Sequence, residues 1–335
     1  MDNTKIQWTD ATWNPIRGCS RVSEGCRNCY AERVAARFSW PGEEAMVGGS
    51  SLEGRAGGPY EGLAKMTKDG PRWTGAVNFI EDALDQPLRW KRPRRIFVNS
   101  MSDLFHQNVK TEWIMRIFEV MEKAHWHTFQ VLTKRPQRMI DVLGGSSGAG
   151  LSAPPLKNVW LGVSVEDQET ANERIKLLLQ APAAVRWISA EPLLGRIDLN
   201  RIEIDAERGL HASALHRQYD GNYFDAPSLL DWVVVGGESG PGSRPMHPNW
   251  VRMMREDCEA AEVPFFFKQW GDLIESPIVN GSKIDYKSSG AKGAGVYNRF
   301  YHDHGMMFSR VGKALAGRQL DGREWNQYPD QIEAA

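Results

Sequence analysis

Apolar residues in this chain gather into short continuous runs that alternate with segments whose apolar positions recur every third or fourth residue. Ile96-Phe-Val-Asn99, Thr128-Phe-Gln-Val-Leu-Thr133, Val159-Trp-Leu-Gly-Val-Ser164, Val185-Arg-Trp-Ile-Ser189, Trp232-Val-Val-Val-Gly236 and Val263-Pro-Phe-Phe-Phe-Lys268 have the length and the β-branched or aromatic content of buried strands. A shorter strand is predicted ahead of them within Asp10-Ala-Thr-Trp-Asn-Pro-Ile-Arg17. Between the runs, Ile114, Ile117, Phe118 and Met121 form one stripe of a helix over Thr111 to His125, and a second helix runs from Pro136 towards Leu143. Ala171, Ile175, Leu178 and Leu179 predict another over residues 167–180, and a last one runs from Pro248 to Ala261. Tyr30, Val34 and Phe38, with Ala31 and Ala35 beside them, predict a helix that begins directly after Cys29.

Apart from insertions the strands recur about every 30 residues, the length of one βα unit. Seven apolar strands alternating with amphipathic helices imply a parallel sheet covered on its faces, hence an α/β fold: a complete or partial (β/α) parallel barrel, or a doubly wound sheet. The residues directly after each strand favour the barrel. Ser100, Ser102, Asp103 and His106 come after the second, Thr133, Lys134 and Arg135 after the third, and Ser164 and Glu166 after the fourth. Ser189 and Glu191 succeed the fifth, Gly236, Gly237, Glu238 and Ser239 the sixth, and Lys268, Gln269 and Trp270 the seventh. In a barrel all of these would meet at the C-terminal mouth, although helix capping alone accounts for any single serine or acid among them.

Two stretches interrupt the pattern. Residues 39–75 turn to Gly, Ser, Pro and Glu, centred on Val47-Gly-Gly-Ser-Ser-Leu-Glu-Gly54 and Arg55-Ala-Gly-Gly-Pro59, and read as a long excursion, lid-like or unstructured. Residues 200–228 form a second irregular insertion, and from Gly271 the chain is polar and glycine-rich as far as Val311. The expected organisation is a barrel over 1–270 with these two insertions and an extension, 271–335, packed on it.

A chain of 335 residues with 41% hydrophobic content can bury a sizeable core. Its formal net charge of −1 excludes the global basic field of a general nucleic-acid binder. Basic residues cluster locally in Arg89-Trp90-Lys91-Arg92-Pro93-Arg94-Arg95 and Lys134-Arg135-Pro136-Gln137-Arg138, and runs of this kind are ordinarily solvated faces. The 13 tryptophans suit either a surface that stacks flat groups or a core. No basic start followed by an apolar run stands at the N-terminus, and no window has the apolar length of a membrane span, so the expectation is a cytoplasmic protein with no membrane partner.

The chemistry concentrates in residues 19–30. Cys19, Cys26 and Cys29 are three of only four cysteines, and three thiols in one loop cannot pair off as disulfides. As thiolates they repel unless a cation neutralises them, so a metal or an iron–sulfur cluster is the leading explanation. Two kinds of site take three sulfurs and leave a place empty: zinc with a histidine or water as fourth ligand, and a [4Fe–4S] cluster with one open iron. No second ligand pair is visible and the nearest histidine is His106, so the cluster is the better reading. Cys258 shares a stripe with Val251, Met254 and Ala261 and reads as a buried apolar residue rather than a fourth ligand.

A three-cysteine loop at the mouth of a parallel barrel resembles the radical S-adenosylmethionine superfamily. The whole chain resembles an uncharacterised phage-associated family with a three-cysteine motif, on Asn14-Pro-Ile-Arg-Gly-Cys19 through Tyr30-Ala31, Asn99-Ser-Met-Ser-Asp-Leu-Phe-His106, Leu132-Thr-Lys-Arg-Pro136, Leu161-Gly-Val-Ser-Val-Glu166, Ser189-Ala-Glu-Pro-Leu-Leu194, Gly236-Gly-Glu-Ser-Gly240 and Phe265-Phe-Phe-Lys-Gln-Trp-Gly271. The resemblance implies that Cys19, Cys26 and Cys29 hold three irons and that S-adenosylmethionine chelates the fourth. Reduction by an external electron donor would then yield a 5′-deoxyadenosyl radical that takes hydrogen from a substrate. On the same basis Ser100, Ser102 and Asp103 are candidates for the methionine end of the cofactor, Ser164 and Glu166 for its ribose, and Glu191 belongs to the same cofactor-binding set. The superfamily usually spaces its cysteines by three residues and then two; here the intervals are six and two, so the loop must bulge before Cys26. Its Gly-Gly-Glu element comes after the second strand, whereas Gly236-Gly237-Glu238 comes after the sixth, so the amine-binding role of that element is not carried to Glu238.

Two other classes stay open on the sequence. A zinc-dependent hydrolase or nuclease would use His106, Asp103 and Glu191 around a metal, and a nucleic-acid-binding protein would use the basic runs and tryptophans with the metal or cluster as a staple. The basic runs and tryptophans also incline the substrate towards nucleic acid or nucleotide.

Overall fold

The computed structural model describes residues 4–39, 58–144, 155–216, 229–275 and 306–329, with the short strands Ile278–Val279, Ser282–Lys283 and Arg299–Phe300. The centre of the first excursion, Val47 to Gly54, lies outside the described residues, as does 217–228 of the second.

Seven strands hydrogen-bond into one sheet: β1 (Ala11–Trp13), β2 (Arg95–Val98), β3 (Thr128–Thr133), β4 (Val159–Ser164), β5 (Val185–Ala190), β6 (Trp232–Gly236) and β7 (Phe265–Gln269). Their order in the sheet is their order in the chain, and β1 and β7 stand at opposite edges. Sequential strand order with parallel pairing and helical crossovers is the topology of a (β/α) barrel, and the unpaired ends make it a partial one. The crossovers are α1 (Tyr30–Arg37), α2 (Thr111–Lys123), α3 (Pro136–Leu143), α4 (Gln168–Leu178) and α5 (Pro248–Ala260). The periodicity thus places every sheet strand and every crossover helix to within a few residues.

The chain divides into two compact units, residues 1–162 with 181–184, and 163–180 with 185–335. In the first, β1 pairs with β2 and β2 with β3 in parallel, with Trp13 opposite Val98 and Val98 opposite Val131. The apolar face of α2 is buried through Ile114, Ile117, Phe118 and Met121, each contributing about 1.5–3 kcal/mol of transfer free energy. Trp8 meets Phe97 edge-on at 4.7 Å between ring centroids, and Trp13 lies 5.7 Å from Phe129. Part of the first excursion is ordered after all: Ala64–Thr67 and Gly70–Trp73 form an antiparallel hairpin, and Ala64 and Trp73 pack with Ala31 and Ala35 of α1. Two small runs of alternating residues among glycines are too short to announce it.

In the second unit, β6 pairs in parallel with β5 and β7, and Trp187 and Trp232, opposite each other in register, pack tilted with ring centroids 5.2 Å apart. The second insertion holds a hairpin of Ile202–Asp205 and Leu210–Ala212. Residues 325–327 run along the outer edge of β7: Phe267 N–H donates to Trp325 O (3.0 Å) and Gln327 N–H to Phe265 O (3.2 Å). An open sheet edge is thereby covered. Cys258 is fully buried in α5. Most tryptophans are core residues, with Trp8, Trp13, Trp187 and Trp232 among the largest fully buried side chains. Among the described residues no helix is long and apolar enough to cross a membrane.

Candidate functional site

The cysteine loop leaves the C-terminal end of β1 through Ile16–Arg17, which pairs with Asn78–Phe79, and Gly18, which bridges Ser102 beyond β2. Gly18 is required there. Its φ is +96°, and a Cβ would stand 2.2 Å from the Ala76 carbonyl oxygen. The longer first interval holds a turn of 3-10 helix, Glu24–Cys26, which is the bulge that six intervening residues demand. Cys29 is the N-cap of α1, as the periodicity predicts.

The three thiols feel one another. Burial pushes the Cys19 thiol up to about 12, Asp103 adds to this, Arg135 opposes it, and Cys29 and Cys26 raise it further. Cys29 is also raised, first by burial and then by Cys26, against the amide groups of Glu32 and Ala31 at the start of α1. Burial pushes Cys26 the same way, but the charge of Lys134 and the contacts with Val22 and Ser23 leave it below its ordinary value.

Around the loop, residues distant in sequence make a continuous polar network. Arg135, the N-cap of α3, donates through Nη1 to Asp103 Oδ2 (2.8 Å) and to Cys19 Sγ (4.0 Å), through Nη2 to Ser20 O and Oγ (3.0 Å each), and through Nε to Gln107 Oε1 (3.3 Å). Asp103 also accepts from the Thr133 hydroxyl (2.7 Å), the Phe105 amide (2.9 Å) and the Lys134 amide (3.1 Å). Ser20 Oγ lies 2.8 Å from His106 Nε2, while His106 Nδ1 accepts the Asn108 N–H. The neutral ring therefore carries its proton on Nε2 and donates it to Ser20, so it is no general base for that hydroxyl.

The first unit brings together Cys19, Cys26, Cys29, Ser100, Ser102, Asp103 and His106. The Ser102 hydroxyl donates to Ile16 O (2.9 Å) and the Ser100 hydroxyl to Asn14 Oδ1 (3.1 Å). Lys134 and Arg135 lie beside the cysteine loop, a place the sequence pattern does not assign to them individually; their position directly after β3 is the available signal. The other basic run has a different position. Arg89 to Arg95 leads into β2, whose first residue is Arg95, at the end of the sheet opposite the loop, with Arg89, Lys91 and Arg92 exposed and Arg94 over the Trp90 ring at 4.8 Å.

Ser164, Glu166 and Glu191 lie in the second unit. Glu166 is buried and accepts from Arg174 (3.1 and 3.3 Å), which also holds the Ser164 carbonyl (2.7 Å). Glu191 takes Lys268 on one oxygen (2.8 Å) and Ser189 on the other (3.0 Å). Gly236 makes room for that carboxylate, since a Cβ would stand 2.4 Å from Glu191 Oε1, and a Cβ on Gly237 would stand 2.0 Å from Trp270 O. Glu238 pairs with Arg244. The glycines thus serve close packing within the chain.

Among the described residues no three His, Cys, Asp or Glu side chains are grouped to hold a single metal ion. A cubane cluster places each thiolate on a different iron and asks for another spacing. By donor chemistry the loop fits it: three sulfurs on one loop, free of disulfides, with Arg135 and Lys134 alongside to offset the charge of bound thiolates.

The sheet and the loop together define an α/β protein of partial-barrel topology that carries three clustered cysteines after its first strand. The chain belongs to the family described as Protein of unknown function (DUF5131), whose model matches residues 3–329. No curated protein matches it. Among solved structures it is similar to a cysteine-to-serine mutant of spore photoproduct lyase, at 11% identity over 94% of this chain and 72% of that one with a TM-score of 0.33. It is also similar to spore photoproduct lyase complexed with dinucleoside spore photoproduct, at 10% identity over 92% and 70% with a TM-score of 0.34. None of these matches bears on a phage association.

Proposed function

We propose that this chain is a radical S-adenosylmethionine enzyme in which Cys19, Cys26 and Cys29 hold a [4Fe–4S] cluster. The observation that carries the reading is the set of three half-buried, unpaired cysteines on one loop after the first strand, with Arg135 in contact with Cys19 and the charge of Lys134 acting on Cys26. When bound and supplied by an external electron donor, the cluster and S-adenosylmethionine furnish one-electron chemistry that ends in hydrogen abstraction. The chain's own residues hold and orient. Lys134 and Arg135 offset the charge of the thiolates, and the amides at the start of α1 favour Cys29 as an anion. Ser100 and Ser102 spend their protons on Asn14 and Ile16 and keep lone pairs for the ammonium of the cofactor. Asp103, already tied to four donors, would add its charge to the same end.

The zinc-hydrolase reading is less well supported, because His106, Asp103 and Glu191 all spend their polar atoms on other partners. For the substrate, the class proposed is nucleic acid or nucleotide. What supports it is the surface of the loop itself, where exposed Tyr30 and Val22 stand with exposed Arg27, whose ion-pair partner there is the equally exposed Glu24 at 3.8 Å, a setting for a flat anionic group. Anaerobic reconstitution with S-adenosylmethionine and dithionite should release 5′-deoxyadenosine from the native chain and none from the triple serine variant of the three cysteines. No release from an iron-loaded native chain would overturn the enzyme reading.

A further inference from the structure

We propose that Arg135 is the positioning residue of the cysteine loop, clamping Cys19 and setting the charge felt by the cluster; this rests on the cluster reading above. All three guanidinium nitrogens are engaged, and the acceptors reached by the two terminal ones are Cys19 itself, its neighbour Ser20 and Asp103. The side chain is only 11% exposed, so its charge is little screened. Its backbone is fixed in the same network: the Arg135 N–H donates to Thr133 Oγ1 (2.9 Å), and that hydroxyl donates onward to Asp103. Pro136 stands at the first turn of α3, limiting the backbone on the other side.

A cation locked beside a ligating sulfur acts in two ways. It holds the ligand where the metal needs it, as second-layer contacts do at other metal sites. It also favours the more negative, reduced state of a cluster, so its removal moves the potential down. Lysine would supply the charge without the fork, separating the two effects.

The full-length chain and its Arg135→Gln and Arg135→Lys variants are reconstituted anaerobically. Iron and sulfide are counted, the midpoint is followed by electron paramagnetic resonance, and iron loss to a chelator is timed. Arg135→Gln should have a more negative midpoint and a chelator resistance lower by roughly 10- to 100-fold. Arg135→Lys should keep the native midpoint while losing chelator resistance. A loaded Arg135→Gln chain with native midpoint and native resistance overturns the inference and leaves the cluster reading standing. A native chain that takes up no iron removes the cluster reading and this inference with it. Should Arg135→Gln fail to fold, Ser20→Ala carries the test: it removes one acceptor and keeps the charge, so resistance should fall at constant midpoint, and unchanged resistance overturns the clamp.

Discussion

Arg21, between the first two cysteines, donates to the buried carboxylate of Glu32 on the helix that begins just after the third. Its Nε reaches the two oxygens at 3.2 and 3.1 Å, its Nη2 also donates to one of them, and Glu32 takes the Trp73 amide at 2.7 Å. The loop is therefore held from within as well as by Arg135 from outside. Glu32→Gln keeps the shape and removes the charge. It should cost roughly 1.5–3 kcal/mol, the range for hydrogen bonds to charged groups, in urea unfolding, and lower the iron bound per chain. Native stability and native iron content in that variant would mean the tie is incidental.

The buried histidines give the stability a pH dependence with a definite sign. Burial, aided by Arg94 and opposed by carbonyl contacts at Pro87 and Trp90, holds the His127 imidazole below its ordinary value. Its Nδ1 accepts the Arg94 N–H and so cannot take a proton without losing that bond. Burial and Arg135 similarly bring His106 down to about 4. Unfolded imidazoles take up protons below about 6.5 while these resist, so the unfolded chain binds more protons. Stability is full above that pH and falls on acidification towards 4. Urea midpoints from pH 7 to pH 4.5 should decline, and His127→Gln should flatten the decline; a slope unchanged in the variant would exclude His127 as a source.

Gly237→Ala should destabilise by about 1–3 kcal/mol, because its Cβ meets the Trp270 carbonyl, which is backbone. Gly236→Ala meets only the end of the Glu191 side chain and should cost less. Thermal unfolding of the two variants checks the order. The reverse order would point to Glu191 being fixed more rigidly than its bonds to Lys268 and Ser189 imply.

Lys91→Ala with Arg92→Ala should leave iron content and 5′-deoxyadenosine release unchanged, since this run lies before β2, away from the cysteine loop after β1. Loss of either quantity would connect the far end of the sheet to the site.

The sheet is legible because burial writes itself into the period of a sequence: Val159 to Ser164 and Trp232 to Gly236 are buried throughout, nearly all of their residues are apolar, and they form strands with those bounds. The hairpin Ala64–Trp73 is not, because its strands are half polar and owe their order to packing on α1. The site divides in the same way. Three cysteines in one loop are visible as a local density, and the helix starting directly after Cys29 is evident from spacing. That Arg135 reaches Ser20, or that Asp103 is met by Thr133, depends on strands brought together by the sheet, and no local pattern records it. The tryptophans stay between two readings for a related reason, since composition does not distinguish a stacking surface from the core in which Trp13 and Trp187 lie.

The most direct measurement is a count of iron and acid-labile sulfide in chain prepared and reconstituted without oxygen, set beside the variant with serine at positions 19, 26 and 29. About four of each per native chain is the result predicted, with a broad visible absorbance that the variant lacks. A colourless native chain holding zinc or no metal at all would contradict the account.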